Sequence, residues 1–213
     1  MDFKLKILDN DKSIIDKINT AFLNEIKSRL PKVYRRCQAY FQSRVIDGIR
    51  SEPTYQSLLS GELNHQFGLT NASSKLQSIL KAIEDSIVVS YKQPQLRSSG
   101  IIGGFTINMV PSDFSDLLSL SEAVQKTEKN VSLEWLNWLL LQGDRTIISG
   151  YEFSIKGDQK SRSGLGVMSG SVSGSWSVPT KYAGNIDNNW IIKGINLVEQ
   201  DLENFFFQSL KNM

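Results

Sequence analysis

Residues 12–49 carry apolar side chains at helical spacing, interrupted once by a proline. That pattern constrains the fold more than anything else in the chain. Ile14, Ile15, Ile18, Phe22, Leu23 and Ile26 recur at intervals that place them on one face of a helix, so 12–29 reads as amphipathic. Pro31 removes a backbone donor and restrains the residue before it, yet sits comfortably in the first turn of a new helix. The spacing therefore predicts a break at Pro31 and a second helix over 31–49 that buries Val33, Cys37, Tyr40, Phe41, Val45 and Ile49.

Further along, the periodicity changes repeatedly. Phe3, Leu5 and Ile7 alternate with charged residues, which suggests a short strand or an extended arm. Ser51-Glu52-Pro53-Thr54 ends the second helix and starts a short one closed by Gly61, and Glu62 to Leu69 makes another compact turn. Leu76, Ile79, Leu80 and Ile83 define a helix over 72–86, and β-branched Ile87-Val88-Val89 opens a strand. Residues 93–99 read as loop, 101–110 as a strand with glycines marking a bulge or close packing, and Phe114, Leu117 and Leu118 as a short turn. A helix is expected over 132–142 with Gly143 just past its end. Strands follow at 146–148 and 151–155, and a last helix over about 190–210 buries Ile191, Ile195, Val198, Leu202, Phe205, Phe206 and Leu210. This order predicts an α+β fold, with N-terminal and C-terminal helices packed on a small, mostly antiparallel sheet. One domain over 1–213 is expected, with 90–130 as a possible insertion or extended arm. The run 157–175, which holds five glycines and six serines, reads as a loop or a flexible strand.

Composition excludes several classes. A single cysteine, Cys37, permits no internal disulfide and no CxxC zinc pair. The longest apolar run, around Leu139-Leu140-Leu141, is far short of the ~20 residues of a membrane span, and no secretory h-region is visible. The expectation is a soluble intracellular protein. Net charge is +2, but residues 27–50 hold seven basic side chains against Asp47 alone. Lys27, Arg29, Lys32, Arg35, Arg36 and Arg44 are therefore candidates for contact with phosphates or with an acidic partner surface.

Reactive chemistry is sparse. His65 is the only histidine and no GxSxG elbow presents a serine to it, so a packed turn histidine is the better reading. Gly164-Leu165-Gly166-Val167-Met168-Ser169-Gly170 has the wrong spacing for a dinucleotide loop. The carboxylates of Glu84/Asp85 and Asp201/Glu203 read as solvated charges, and one histidine and one cysteine make metal ligation improbable. No catalytic residue, cofactor site or metal site is expected. Trp135 and Trp138 read as core, whereas Trp176, inside a glycine-rich stretch, is a candidate interface anchor.

Three segments carry a resemblance: the N-terminal amphipathic helices running into Ser51-Glu52-Pro53-Thr54-Tyr55 and Phe67-Gly68-Leu69; Leu133-Glu134-Trp135-Leu136-Asn137-Trp138; and Ser161 to Met168 with Trp176, Pro179, Ala183-Gly184-Asn185 and the terminal helix. Together they resemble the neck and tail-completion proteins of tailed bacteriophages, which join the DNA-filled head to the tail. The resemblance implies a structural virion protein without enzyme activity, closing a ring, commonly of six copies, between connector and tail. Its implied partners are copies of itself, the connector or portal-side proteins and the tail-side proteins, with no membrane. A tail terminator, or a nonspecific nucleic-acid-binding protein using the basic helix 27–50, is the alternative.

Overall fold

The computed structural model describes residues 10–97, 100–108, 113–126, 131–155 and 166–212. The strand or arm expected at 3–7, the end of the strand at 109–110 and the first part of the glycine/serine run, 157–165, lie outside the described residues.

The chain does not break at Pro31. A single helix, α1 (Asp11–Ser51), runs through it for 41 residues, capped at its start by Asn10, whose side-chain oxygen accepts from the Ser13 amide at 2.8 Å. Proline's φ is already helical, so its interior penalty is chiefly one missing hydrogen bond and a local clash. Leu30 and Val33 are buried on either side of Pro31, and that packing holds the helix across it.

Glu52 then ends α1 and caps α2 (Pro53–Ser60), its carboxylate accepting from the Thr54 amide at 2.6 Å while Pro53 occupies the first turn. Short α3 (Glu62–Phe67) ends at Gly68 in the left-handed region, and α4 (Ala72–Ser86) packs Leu76, Ile79 and Ile83 inward.

Strands β1 (Val88–Arg97) and β2 (Gly100–Asn108) form an antiparallel hairpin. The segment expected as loop, 93–99, continues as strand as far as Arg97 because the ladder absorbs Pro94 at an irregularity between Lys92 and Gln95. Gly103, at φ 152°, makes that possible: a Cβ there would lie 2.6 Å from the Pro94 Cα. The hairpin is pinned to α1 by Gln38, which donates to the Ile87 carbonyl at 2.8 Å and accepts from the Val89 amide at 2.7 Å. Tyr34 and Tyr91 pack at 6.2 Å further up, so the hairpin climbs alongside α1 toward its N-terminus.

Short α5 (Ser115–Leu118) buries Phe114 and Leu117 in the common core, so part of the suspected insertion belongs to the main body. β3 (Gln125–Lys126) pairs with β4 (Ser132–Leu133). The helix expected from 132 begins only at Trp135, since Ser132 and Leu133 are taken up by that pairing. Here α6 (Trp135–Asn137) passes into one π-helical turn, Trp138–Gln142, and Gly143 ends it at φ 67°. The two strands expected at 146–155 are one, β5 (Thr146–Ser154), with one irregularity before Ile148 and a second at Gly150, whose φ is 80°. Its antiparallel partner is β6 (Val167–Ser177), so the second part of the glycine/serine run is a strand.

The terminal helix is two: α7 (Trp190–Asn196) and α8 (Glu199–Lys211). Asn189 caps α7 by accepting from the Ile191 and Ile192 amides at 3.1 and 3.2 Å. The break lets α7 cross α1 at Gly48 and α8 turn to run antiparallel along it. Three contacts fix that register: Arg44 with Asp201, Tyr40 stacked on Phe205 at 3.7 Å, and Cys37 with Ser209. The fold is α+β, its strands distributed over three separate two-stranded antiparallel sheets among the described residues. One continuous apolar cluster runs from Val33 to Leu202.

Candidate assembly surfaces

Helix α1 carries two different surfaces. Its C-terminal half is enclosed: Val33, Cys37, Phe41, Val45 and Ile49 are buried. Its N-terminal half is not. α8 runs toward that end but stops at Lys211, only two residues beyond the Ser209 that meets Cys37. The apolar stripe of this half reaches solvent: Ile15, Ile18 and Phe22 are 55, 60 and 59% exposed, and Ile14 is exposed beside them. Leu23 and Leu30 alone are fully covered in this half. The apolar face expected over 12–29 is thus present and, apart from Leu23 and the half-buried Ile26, open. It is nonetheless continuous with the core stripe, since 15, 18, 22, 26, 30, 33, 37 and 41 follow one line along the helix.

The basic candidates separate into two groups. Arg29 pairs with Glu25 one turn earlier. Arg44 turns the other way, its Nε donating to Asp201 at 3.0 Å, and this contact holds its guanidinium pKa above the ordinary value. Arg44 is therefore an α1–α8 tie, which removes it from the open basic face. Lys27, Lys32, Arg35 and Arg36 have no ion-pair partner among the described residues, and the last three lie within about one and a half turns. Lys32, Arg35 and Arg36 form an open basic face, and Lys27 lies on the other side of the helix.

Trp176 is corrected outright. It is 6% exposed, with its ring 5.5 Å from Phe67 in an edge-to-face contact, so its apolar area is already consumed by this chain's own core. Trp135 is fully buried and donates its indole N–H to the Glu122 carbonyl at 2.9 Å.

The remaining titratable groups are paired or dispersed. Lys81 bridges Glu84 at 3.2 Å and Asp85 at 2.8 Å, and Lys181 meets Glu62 at 2.6 Å. His65 sits half-buried in α3 with no hydroxyl or thiol partner among the described residues. No three His, Cys, Asp or Glu side chains among the described residues group as a metal site would require. No described helix is long and apolar enough to cross a membrane.

One surface went unread in the sequence. An apolar groove of about 470 Å³ lies between α8 and β2. Phe41 and Leu202 lie along its bottom, Ile107 and Phe207 along its walls, and Glu199 and Glu203 at its edge. Phe207 is 62% exposed. A signal existed: three consecutive phenylalanines, Phe205-Phe206-Phe207, cannot all face one side of a helix, so one had to point outward.

Comparison with known proteins gives no match at any of three levels: no family model, no curated protein and no solved structure is significantly similar to this chain.

Proposed function

We propose that this chain is a structural subunit of the tailed-phage head–tail junction, a neck or tail-completion protein that assembles with copies of itself into a ring between connector and tail and performs no catalytic step. The observation that carries self-assembly is the open stripe of Ile14, Ile15, Ile18 and Phe22. Contiguous apolar surface of this kind marks an interaction site. A helix in a protein gains most of its stability from packing its apolar face. The phage assignment rests on the sequence resemblance. The work of such a subunit is geometric: it closes a ring and offers one face to the head and one to the tail. Electron microscopy of purified particles, with the chain tagged, tests this reading: density at the neck is expected, and absence of the chain from virions would count against it.

A second reading is favoured by one observation: Lys32, Arg35 and Arg36 present three cations on one side of α1 without carboxylate partners among the described residues. Lining a channel, such a face would hold DNA through its phosphates without reading sequence.

A further inference from the structure

We propose that the open stripe on α1 of one copy docks in the α8–β2 groove of the next copy, head to tail. This rests on the self-assembly reading and names its contact surfaces. Three observations carry it.

The stripe and the groove match in chemistry. Ile15, Ile18 and Phe22 form an aliphatic and aromatic ridge, and the groove offers Ile107, Leu202 and Phe207 over the Phe41 ring. They also match in charge. Glu199 and Glu203, one turn apart at the groove's edge, have no ion-pair partner among the described residues, while Lys32 and Arg36, also one turn apart and equally unpaired, lie further along α1 on the stripe's side. A seated stripe would bring these cations to those carboxylates.

Finally, the two surfaces cannot meet within one chain. Phe22 and Phe41 belong to the same continuous helix, and their nineteen-residue separation corresponds to about 28 Å. Only another molecule's stripe can reach the groove. A symmetric pairing of two α1 stripes would leave the groove and its glutamates uncovered. The head-to-tail contact covers both surfaces, and each added copy presents a fresh one of each kind, an arrangement that makes a ring where its rotation closes.

The test uses two full-length variants, each spoiling one surface. Phe22→Glu breaks the stripe and keeps the groove; Phe207→Lys breaks the groove and keeps the stripe. Both positions are more than half exposed, and circular dichroism checks that each variant folds. Light scattering should give each variant alone the 24.0 kDa mass of a single chain and the equimolar mixture twice that mass. Should either fail to fold, Ile18→Gln and Glu203→Lys replace them, with the same masses expected. Variants that keep the wild-type assembly, or a mixture that stays at single-chain mass, would overturn the inference while leaving self-assembly intact. A wild-type protein that is itself a single chain would overturn both.

Discussion

Gly48 of α1 and Gly194 of α7 cross with their backbones in direct contact, so neither position has space for a methyl group. A Cβ on Gly194 would lie 2.6 Å from the Ile49 Cα, and one on Gly48 would collide with the Gly194 carbonyl oxygen and come within 2.9 Å of Val198. This crossing places α7, and through it α8 and the groove, against the middle of the long helix. In an open helix, Gly→Ala stabilises by about 1 kcal/mol. Here Gly194→Ala should destabilise by about 1–3 kcal/mol, because it overpacks a closed contact. Urea unfolding reads the sign directly; a stabilised variant would mean that the helices do not cross this closely.

Cys37 offers a second test. Burial pushes its thiol pKa up, an effect partly offset by Ser209 and Arg36. The folded state therefore favours the protonated thiol. Its contribution to stability is complete below the ordinary thiol pKa of about 8.5, declines as pH rises beyond that value and is gone above the folded pKa. At pH 8 the folded protein should react with a thiol-specific disulfide reagent far more slowly than the urea-unfolded chain. Equal rates would place Cys37 at the surface.

Pro31 gives a prediction of opposite sign to most core substitutions. Pro31→Ala removes the interior-proline penalty of about 3 kcal/mol, the missing amide donor together with the ring's clash, and returns about 1 kcal/mol of chain entropy to the unfolded state. The expected net effect is stabilisation by about 2 kcal/mol with helix content retained, measured by chemical denaturation with circular dichroism. A loss of stability would indicate that a bend at Pro31 is needed for packing.

The basic face predicts how any nucleic-acid binding should behave. If Arg35 and Arg36 meet phosphates, log K for duplex DNA should fall linearly with log salt, and replacing both by alanine should flatten the slope by about 2. Binding that ignores salt, or a slope unchanged in the double variant, would return these residues to a protein-facing or solvated role.

Much of the fold was legible in the sequence because local chemistry decided it. Glu52-Pro53 had to end one helix and begin another, Leu76, Ile79 and Ile83 had to share a face, and Gly143 had to follow a helix end. What was misread depended on distant partners. Pro31 reads locally as a break, and only burial at Leu30 and Val33 carries the helix through it. The division between α7 and α8 accompanies the glycine crossing with α1, a contact between residues far apart in the chain. Periodicity reported the α1 stripe correctly but could not say whether the same chain covers it. Trp176 looked exposed because glycines and serines surround it, yet Phe67 supplies its partner. The basic run was legible as charge; its division into a tied Arg44 and an open group was set by Asp201, which sequence spacing does not place.

The most direct test of self-assembly is the mass of the purified wild-type chain in solution by light scattering across a range of concentrations. The account predicts a defined multiple of 24.0 kDa that gives ring-shaped particles in the electron microscope. A single mass of 24.0 kDa at every concentration, with Phe22 and Phe207 still exposed to solvent, would contradict it.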